Sequence, residues 1–205
     1  MINIGVLASG RGSNLNAILL AIEHGRIKGA KVSVVVSNDP EAMALRVAEL
    51  HGVKAVALEA KEATREEYDR EIAAVLMRHG VEPGKGLVLL AGYMKILSKS
   101  FVEMYRGRVM NIHPSLLPAF PGVRAQNQAL AYGAKVAGCT VHFVVPEVDA
   151  GPIIAQKAVP IEDDDDEESL SSRILREEHR LYPLAVKLFV EDRLSIDGRR
   201  VATTR

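Results

Sequence analysis

Short β-branched runs alternate with longer amphipathic stretches through the first half of the chain, and that βαβα order leaves few folds open beyond a parallel sheet covered by helices. INIGVLAS (2–9) reads as a buried strand, and residues 13–24 as a helix with Leu15, Ile18, Leu19 and Ile22 on one face. KVSVVVS (31–37) is a second strand. After it, Asn38-Asp39-Pro40 predicts a helix capped by Asp39, with Pro40 at its first position, running to about residue 50. VKAVAL (53–58) is a third strand, and TREEYDREIAAVLMRHG a helix with Ile72, Val75 and Leu76 on its apolar face and Gly80 at its end. GLVLLAG (86–92) and RVMNIHP (108–114) add two strands, with a short helix near 100–105 between them.

The second half changes pattern. A loop holding Pro114, Pro118 and Pro121 leads to a helix near 126–132, and VAGCTVHFVV (136–145) and GPIIAQKAVPI (151–161) follow as strands. Their short connection predicts an antiparallel hairpin, so the sheet is expected to be mixed. The acids of 163–168 favour the N-terminus of a helix over 169–192 and read as a solvated helix start rather than a metal site. RLSIDGRRV suggests a terminal hairpin. The expected fold is an α/β, Rossmann-like, mixed but mostly parallel sheet with helices on both faces. It would form one domain over 1–205, with a phosphate-binding half (1–100) and a catalytic half (101–205).

Lys plus Arg (26) offsets Asp plus Glu (26), so no global field recruits a phosphate backbone or an anionic lipid surface. Nucleic-acid and membrane partners are not expected. No apolar run reaches the roughly 18–20 residues that span a bilayer, and MINIGVLASGRG lacks the marks of a secretory leader. The lone Cys139 can form no intramolecular disulfide. A cytoplasmic location follows as the expectation.

ASGRGSNL (8–15) joins the first strand to the first helix. It lacks the Lys-Ser/Thr ending of a Walker A loop, and Leu15 stands where the third glycine of GxGxxG belongs. Two readings are open on these residues alone. Backbone N–H groups and the helix N-terminus can form an anion site, or Gly10 and Gly12 can simply permit a turn that Ser13 caps.

Side chains alternate along a strand, so Asn111 and His113 share one side of RVMNIHP, at the carboxyl end where open α/β sheets place ligands. An amide donor beside an imidazole suits a reaction that builds negative charge on a carbonyl oxygen. The alternative is a polar strand end whose side chains cap loop backbone. An imidazole that must stay oriented needs a carboxylate. Asp149, ahead of the Gly151-Pro152 turn, is the candidate if it reaches His113.

GSNL, VLLAGYMKILS, NIHPSLLPAFPG, GCTVHFVVPEVDAGPII and REEHRLYP, in that order, resemble the successive motifs of the folate-dependent phosphoribosylglycinamide formyltransferase family. HPSLLP and D-x-G-P recur across the wider formyltransferase superfamily, while the glycine loop, the C-terminal helix motif and the length narrow the match. The resemblance implies transfer of the formyl group of 10-formyltetrahydrofolate, a co-substrate, to the primary amine of glycinamide ribonucleotide in purine synthesis, without a metal. It implies Asn111, His113 and Asp149 as the catalytic trio, with Gly12, Ser13 and Asn14 at the ribonucleotide phosphate and Glu178 at its ribose. Arg65, Met94, Lys95, Ile96 and Leu97 would border the folate, and Val145, Pro146, Glu147 and Val148 would close over its pterin. The open reading of Asn111 and His113 turns toward function with this resemblance. Lys95 stands where some members have Arg, and VRAQNQAL follows the Pro-Gly turn where some carry histidines. His142 also matches the family, and packing on its strand is the other reading open for its side chain.

Two related enzymes fit less well. By the same resemblance, a formyltetrahydrofolate hydrolase carries an extra N-terminal regulatory domain and a methionyl-tRNA formyltransferase a C-terminal RNA-binding domain, and 205 residues leave room for neither. A non-catalytic phosphate- or folate-binding module would have no use for an oxyanion donor beside an imidazolium. Oligomeric state is not legible in the sequence.

Overall fold

The computed structural model describes residues 1–60 and 63–204. Strand β1 (Ile2–Leu7) leads through α1 (Ser13–Glu23), β2 (Ala30–Ser37), α2 (Met43–Leu50), β3 (Lys54–Ala57) and α3 (Arg65–Arg78) to β4 (Leu87–Leu90). Then come α4 (Lys99–Met104), β5 (Val109–His113), α5 (Ala125–Tyr132), β6 (Val136–Phe143), β7 (Ile153–Pro160), α6 (Glu167–Val190), β8 (Leu194–Asp197) and β9 (Arg200–Thr203). The strands form one sheet in the order β3-β2-β1-β4-β5-β6-β7-β9-β8. The first five are parallel to their neighbours, whereas β6 runs antiparallel to both β5 and β7. The Rossmann-like mixed sheet and the β6–β7 hairpin are thus as the sequence predicts.

Two-sided burial explains why the central strands read as continuous apolar runs. Ile4, Val6, Val35, Leu89 and Met110 pack with Leu15, Ile18, Ala44, Ala48, Ile174 and Tyr182 of α1, α2 and α6 on one face. Leu7, Val34, Val36, Val88 and Val109 pack with Ile72, Leu76, Phe101 and Val102 of α3 and α4 on the other. Each fully buried aliphatic side chain contributes on the order of 1.5–3 kcal/mol, so both layers are needed to offset chain entropy. No helix of the described residues is long and apolar enough to cross a membrane.

Two expectations are corrected. The second helix begins at Met43, not at Pro40, because Asp39 makes a turn instead of a cap. Its Oδ1 accepts from Glu41 N–H at 2.9 Å and its carbonyl from Ala42 N–H at 3.2 Å. The long C-terminal helix begins at Glu167, two residues early, with Asp166 as its cap in a reciprocal pair with Ser169. Two more of these acids are engaged: Arg173 grips Asp165 through two N–H groups at 2.6 and 2.9 Å, and Lys135 meets Asp163 at 2.7 Å.

The chain runs outward from β1 to β2 and β3, then returns to place β4 on the other side of β1. That reversal opens a crevice beyond the carboxyl ends of β1 and β4, the position where open α/β sheets bind ligands.

Candidate active site

At the carboxyl ends of these strands, Ser9 ties together the segments that follow β1, β2 and β4. Its Oγ donates to Asn38 Oδ1 and accepts from Met94 N–H at 2.9 Å, and its own N–H donates to Gly92 O at 3.1 Å.

Gly12 occupies the cap position of α1 at φ +75°, and a Cβ there would lie 2.7 Å from the Ala44 Cα. The left-handed turn and the close approach of α2 both demand glycine. Ser13 is the first helical residue and not the cap, no side chain caps the helix, and its first turn holds no acid. The orphan N–H groups and the positive helix end are therefore left for an anion. One residue on, the buried Asn14 donates from Nδ2 to Glu178 Oε2 of α6 at 2.7 Å, while its own Oδ1 is buried without a partner among the described residues. Burial raises the pKa of Glu178, opposed by the Asn14 hydrogen bond.

On β5, Asn111 and His113 project to the same side, and Asp149 reaches them. Asp149 sits at φ +52° and its carboxylate is 9% exposed. Its Oδ2 lies 3.4 Å from His113 Nδ1 and accepts from Gly122 N–H at 2.8 Å, and its Oδ1 lies 3.7 Å from His142 Nε2. Gly151 permits this fold-back, since a Cβ there would stand 1.7 Å from the Phe143 carbonyl oxygen. His113 Nε2–H donates to the Phe120 carbonyl at 3.0 Å, so Nδ1 is the ring nitrogen that faces Asp149.

His142 does not merely pack on its strand. Its ring is buried, Nδ1–H donates to Phe143 O at 2.9 Å, and Nε2 accepts from Asn111 Nδ2 at 3.3 Å. Burial lowers its pKa, outweighing the Phe143 hydrogen bond and the Asp149 charge, so the ring stands neutral as an acceptor. It thereby aims the Asn111 amide, whose second N–H has no partner among the described residues. His142 is the register partner of Asn111 across the β5–β6 pair, so pairing the predicted strands would have found it. The Phe120 carbonyl and Gly122 N–H are backbone groups, and side-chain chemistry offers no signal for them.

The residues expected along the folate divide. Met94 and Ile96 are 73% and 51% exposed, and Lys95 Nζ stands 5.7 Å over the Tyr68 ring. Leu97, by contrast, is buried in the α3–α4 layer, so only its backbone can border a ligand. Arg65 is exposed at the start of α3, one turn before the buried Asp69, which accepts from Ser98 N–H and so fixes the far end of the same segment. In the β6–β7 connection Val145 and Pro146 are half-buried, and Glu147 and Val148 are exposed.

The chain matches the formyl transferase family over residues 2–186. It is 42% identical over 207 residues to phosphoribosylglycinamide formyltransferase of Escherichia coli, covering 97% of this chain and 95% of that protein. It is 46% identical over 189 residues to the trifunctional purine biosynthetic protein adenosine-3 of Drosophila melanogaster, covering 91% of this chain but only 14% of that much longer protein. The crystal structure of glycinamide ribonucleotide transformylase 1 from Symbiobacterium toebii superposes with a TM-score of 0.96 at 50% identity, over 100% of this chain and 95% of that one. With a family match across most of its length and a solved relative that superposes over all of it, the chain belongs to the formyl transferase family of enzymes.

Proposed function

We propose that this chain transfers the formyl group of 10-formyltetrahydrofolate to the primary amine of glycinamide ribonucleotide, in the cytoplasm, as a step of purine biosynthesis. One observation carries the reading: an uncapped helix N-terminus with the buried Asn14–Glu178 pair follows β1, and the Asn111–His113–Asp149 cluster sits on β5, at the same carboxyl edge of the parallel strands. The first arrangement suits a phosphorylated sugar, the second an acyl-transfer step. Gly12, Ser13 and Asn14 of the N-terminal half hold the phosphate and Glu178 accepts from a ribose hydroxyl. Arg65, Met94, Lys95, Ile96 and the Leu97 backbone line the folate, and residues 145–148 cover its pterin.

In the reaction the glycinamide nitrogen attacks the formyl carbon, forming the new C–N bond and placing negative charge on the formyl oxygen. The second Asn111 N–H donates to that oxygen, while His113, whose two ring nitrogens face the Phe120 carbonyl and Asp149, acts on the charge through space. Asp149 takes the proton lost by the attacking amine, directly or through water, and returns one to the folate N10 as its bond to the formyl carbon breaks. Atoms and charge balance, leaving formylated ribonucleotide and tetrahydrofolate.

Titration calorimetry tests the substrate assignment. Glycinamide ribonucleotide is expected to bind at least ~100-fold more tightly than the same nucleoside without its phosphate, the worth of a charge-assisted contact or two. Equal affinities would remove the α1 N-terminus from the site.

A further inference from the structure

The segment 120–124 is held in an unfavourable shape. Phe120 and Arg124, at its two ends, have φ of +52° and +57°, a left-handed conformation that L side chains adopt only when the surroundings impose it. This segment also supplies both backbone groups that bracket the reacting pair: the Phe120 carbonyl accepts from His113 Nε2–H at 3.0 Å, and Gly122 N–H donates to Asp149 Oδ2 at 2.8 Å. One side chain spans it from outside. Gln128, on the first full turn of α5, donates from Nε2 to Val123 O at 2.8 Å and to Pro121 O at 3.2 Å. The two carbonyls it gathers flank Gly122, so they fix the direction of the Gly122 N–H. Asn127, next to it, faces elsewhere and donates to Glu167 of α6 at 2.9 Å.

We propose that Gln128 is a positioning residue: by clamping the Pro121 and Val123 carbonyls it keeps segment 120–124 in the strained form that aims Gly122 N–H at Asp149 and the Phe120 carbonyl at His113. The inference deepens the functional reading above and rests on it for its catalytic consequence. Gln128 touches neither reacting group; it acts through the loop. Without the clamp the segment relaxes to ordinary backbone angles, and the carboxylate and imidazole lose the partners that orient them. Geometry at reacting groups is steep in its effect on rate, whereas the ribonucleotide phosphate and ribose contacts, made elsewhere, are unaffected.

The test compares Gln128→Met, which keeps length and helix propensity but has no donor, with Asn127→Ala on the same helix turn. Gln128→Met is expected to keep the melting temperature, to lower kcat about five- to tenfold, and to leave KM for glycinamide ribonucleotide within twofold; Asn127→Ala should leave kcat unchanged. A second readout needs no turnover. Amide ¹⁵N order parameters of Gly122 and Val123 should lie near ~0.85 in the parent chain and fall below about 0.6 in Gln128→Met only. Unchanged order parameters, an unchanged kcat in Gln128→Met, or an equal loss in Asn127→Ala each overturns the proposal. A parent chain that binds but does not formylate the ribonucleotide, with the order-parameter drop present, would instead overturn the functional reading and leave the clamp standing.

Discussion

A buried carboxylate costs stability, and Glu178 is one, offset only in part by the hydrogen bond it accepts from Asn14. Because burial raises its pKa in the folded chain, the folded state keeps this proton to higher pH than the unfolded state. The associated stability is full below the unfolded value near ~4.3 and is lost as pH rises through the folded one. Glu178→Gln is therefore expected to melt higher than the parent at pH 8, by roughly 2–4 °C for each kcal/mol regained. The gap should close toward pH 4, while KM for the ribonucleotide rises at least about tenfold. A melting curve that does not move with the substitution would contradict the electrostatic account. At the catalytic cluster, Asn111→Ala and His113→Ala should each lower kcat on the order of 100- to 1000-fold, and Asp149→Asn at least about tenfold, all with melting temperatures close to the parent. Near-parental turnover in the His113 variant would remove it from the reaction.

The elements explain why these residues meet. Asn111 and His113 could be assigned to one side of a strand from the alternation of β5 alone, and the strand–loop–helix order placed Gly12 at an N-terminus. Asp149 was legible only as a candidate, since its approach to His113 depends on a left-handed residue and on the close passage of Gly151 against Phe143, neither of which spacing encodes. A strand read singly does not tell whether His142 packs or serves the site, and it is pairing that sets it opposite Asn111. The start of α2 was missed for a related reason. Asp39 can serve a turn as readily as a cap, and the choice is made by tertiary contact, Ala44 N–H reaching back to Gly10 O at 3.0 Å. The tight fit of α1 against α2 makes Gly12→Ala a test at this scale. It adds a left-handed alanine, about 1–2 kcal/mol, to a contact with Ala44, so it should lower the melting temperature and raise KM for the ribonucleotide together. Ser13→Ala, which disturbs no packing, should raise that KM with little change in kcat or stability.

Across the whole molecule, the crevice exists because β4 returns beside β1 and because the sheet then turns antiparallel at β6, which brings a connection back over β5 to deliver Asp149. In the proposed reaction the parallel strands supply the anion site with Asn111 and His113, the antiparallel hairpin supplies Asp149 and His142, and formyl transfer needs both. The βαβα alternation made the parallel half readable and the short connection made the hairpin readable; the closure of one over the other was not, since it rests on backbone groups of residues 120–122 and 149–151. The central claim, that both halves act on one pair of substrates, is tested most directly by following the absorbance change of 10-formyltetrahydrofolate with purified chain, with and without glycinamide ribonucleotide. The account predicts turnover only when the ribonucleotide is present, with one formylated ribonucleotide formed for each folate consumed. Turnover without the acceptor would mean that water takes the formyl group, and absence of turnover with both substrates bound would mean that the cluster at Asn111, His113 and Asp149 does not perform the transfer.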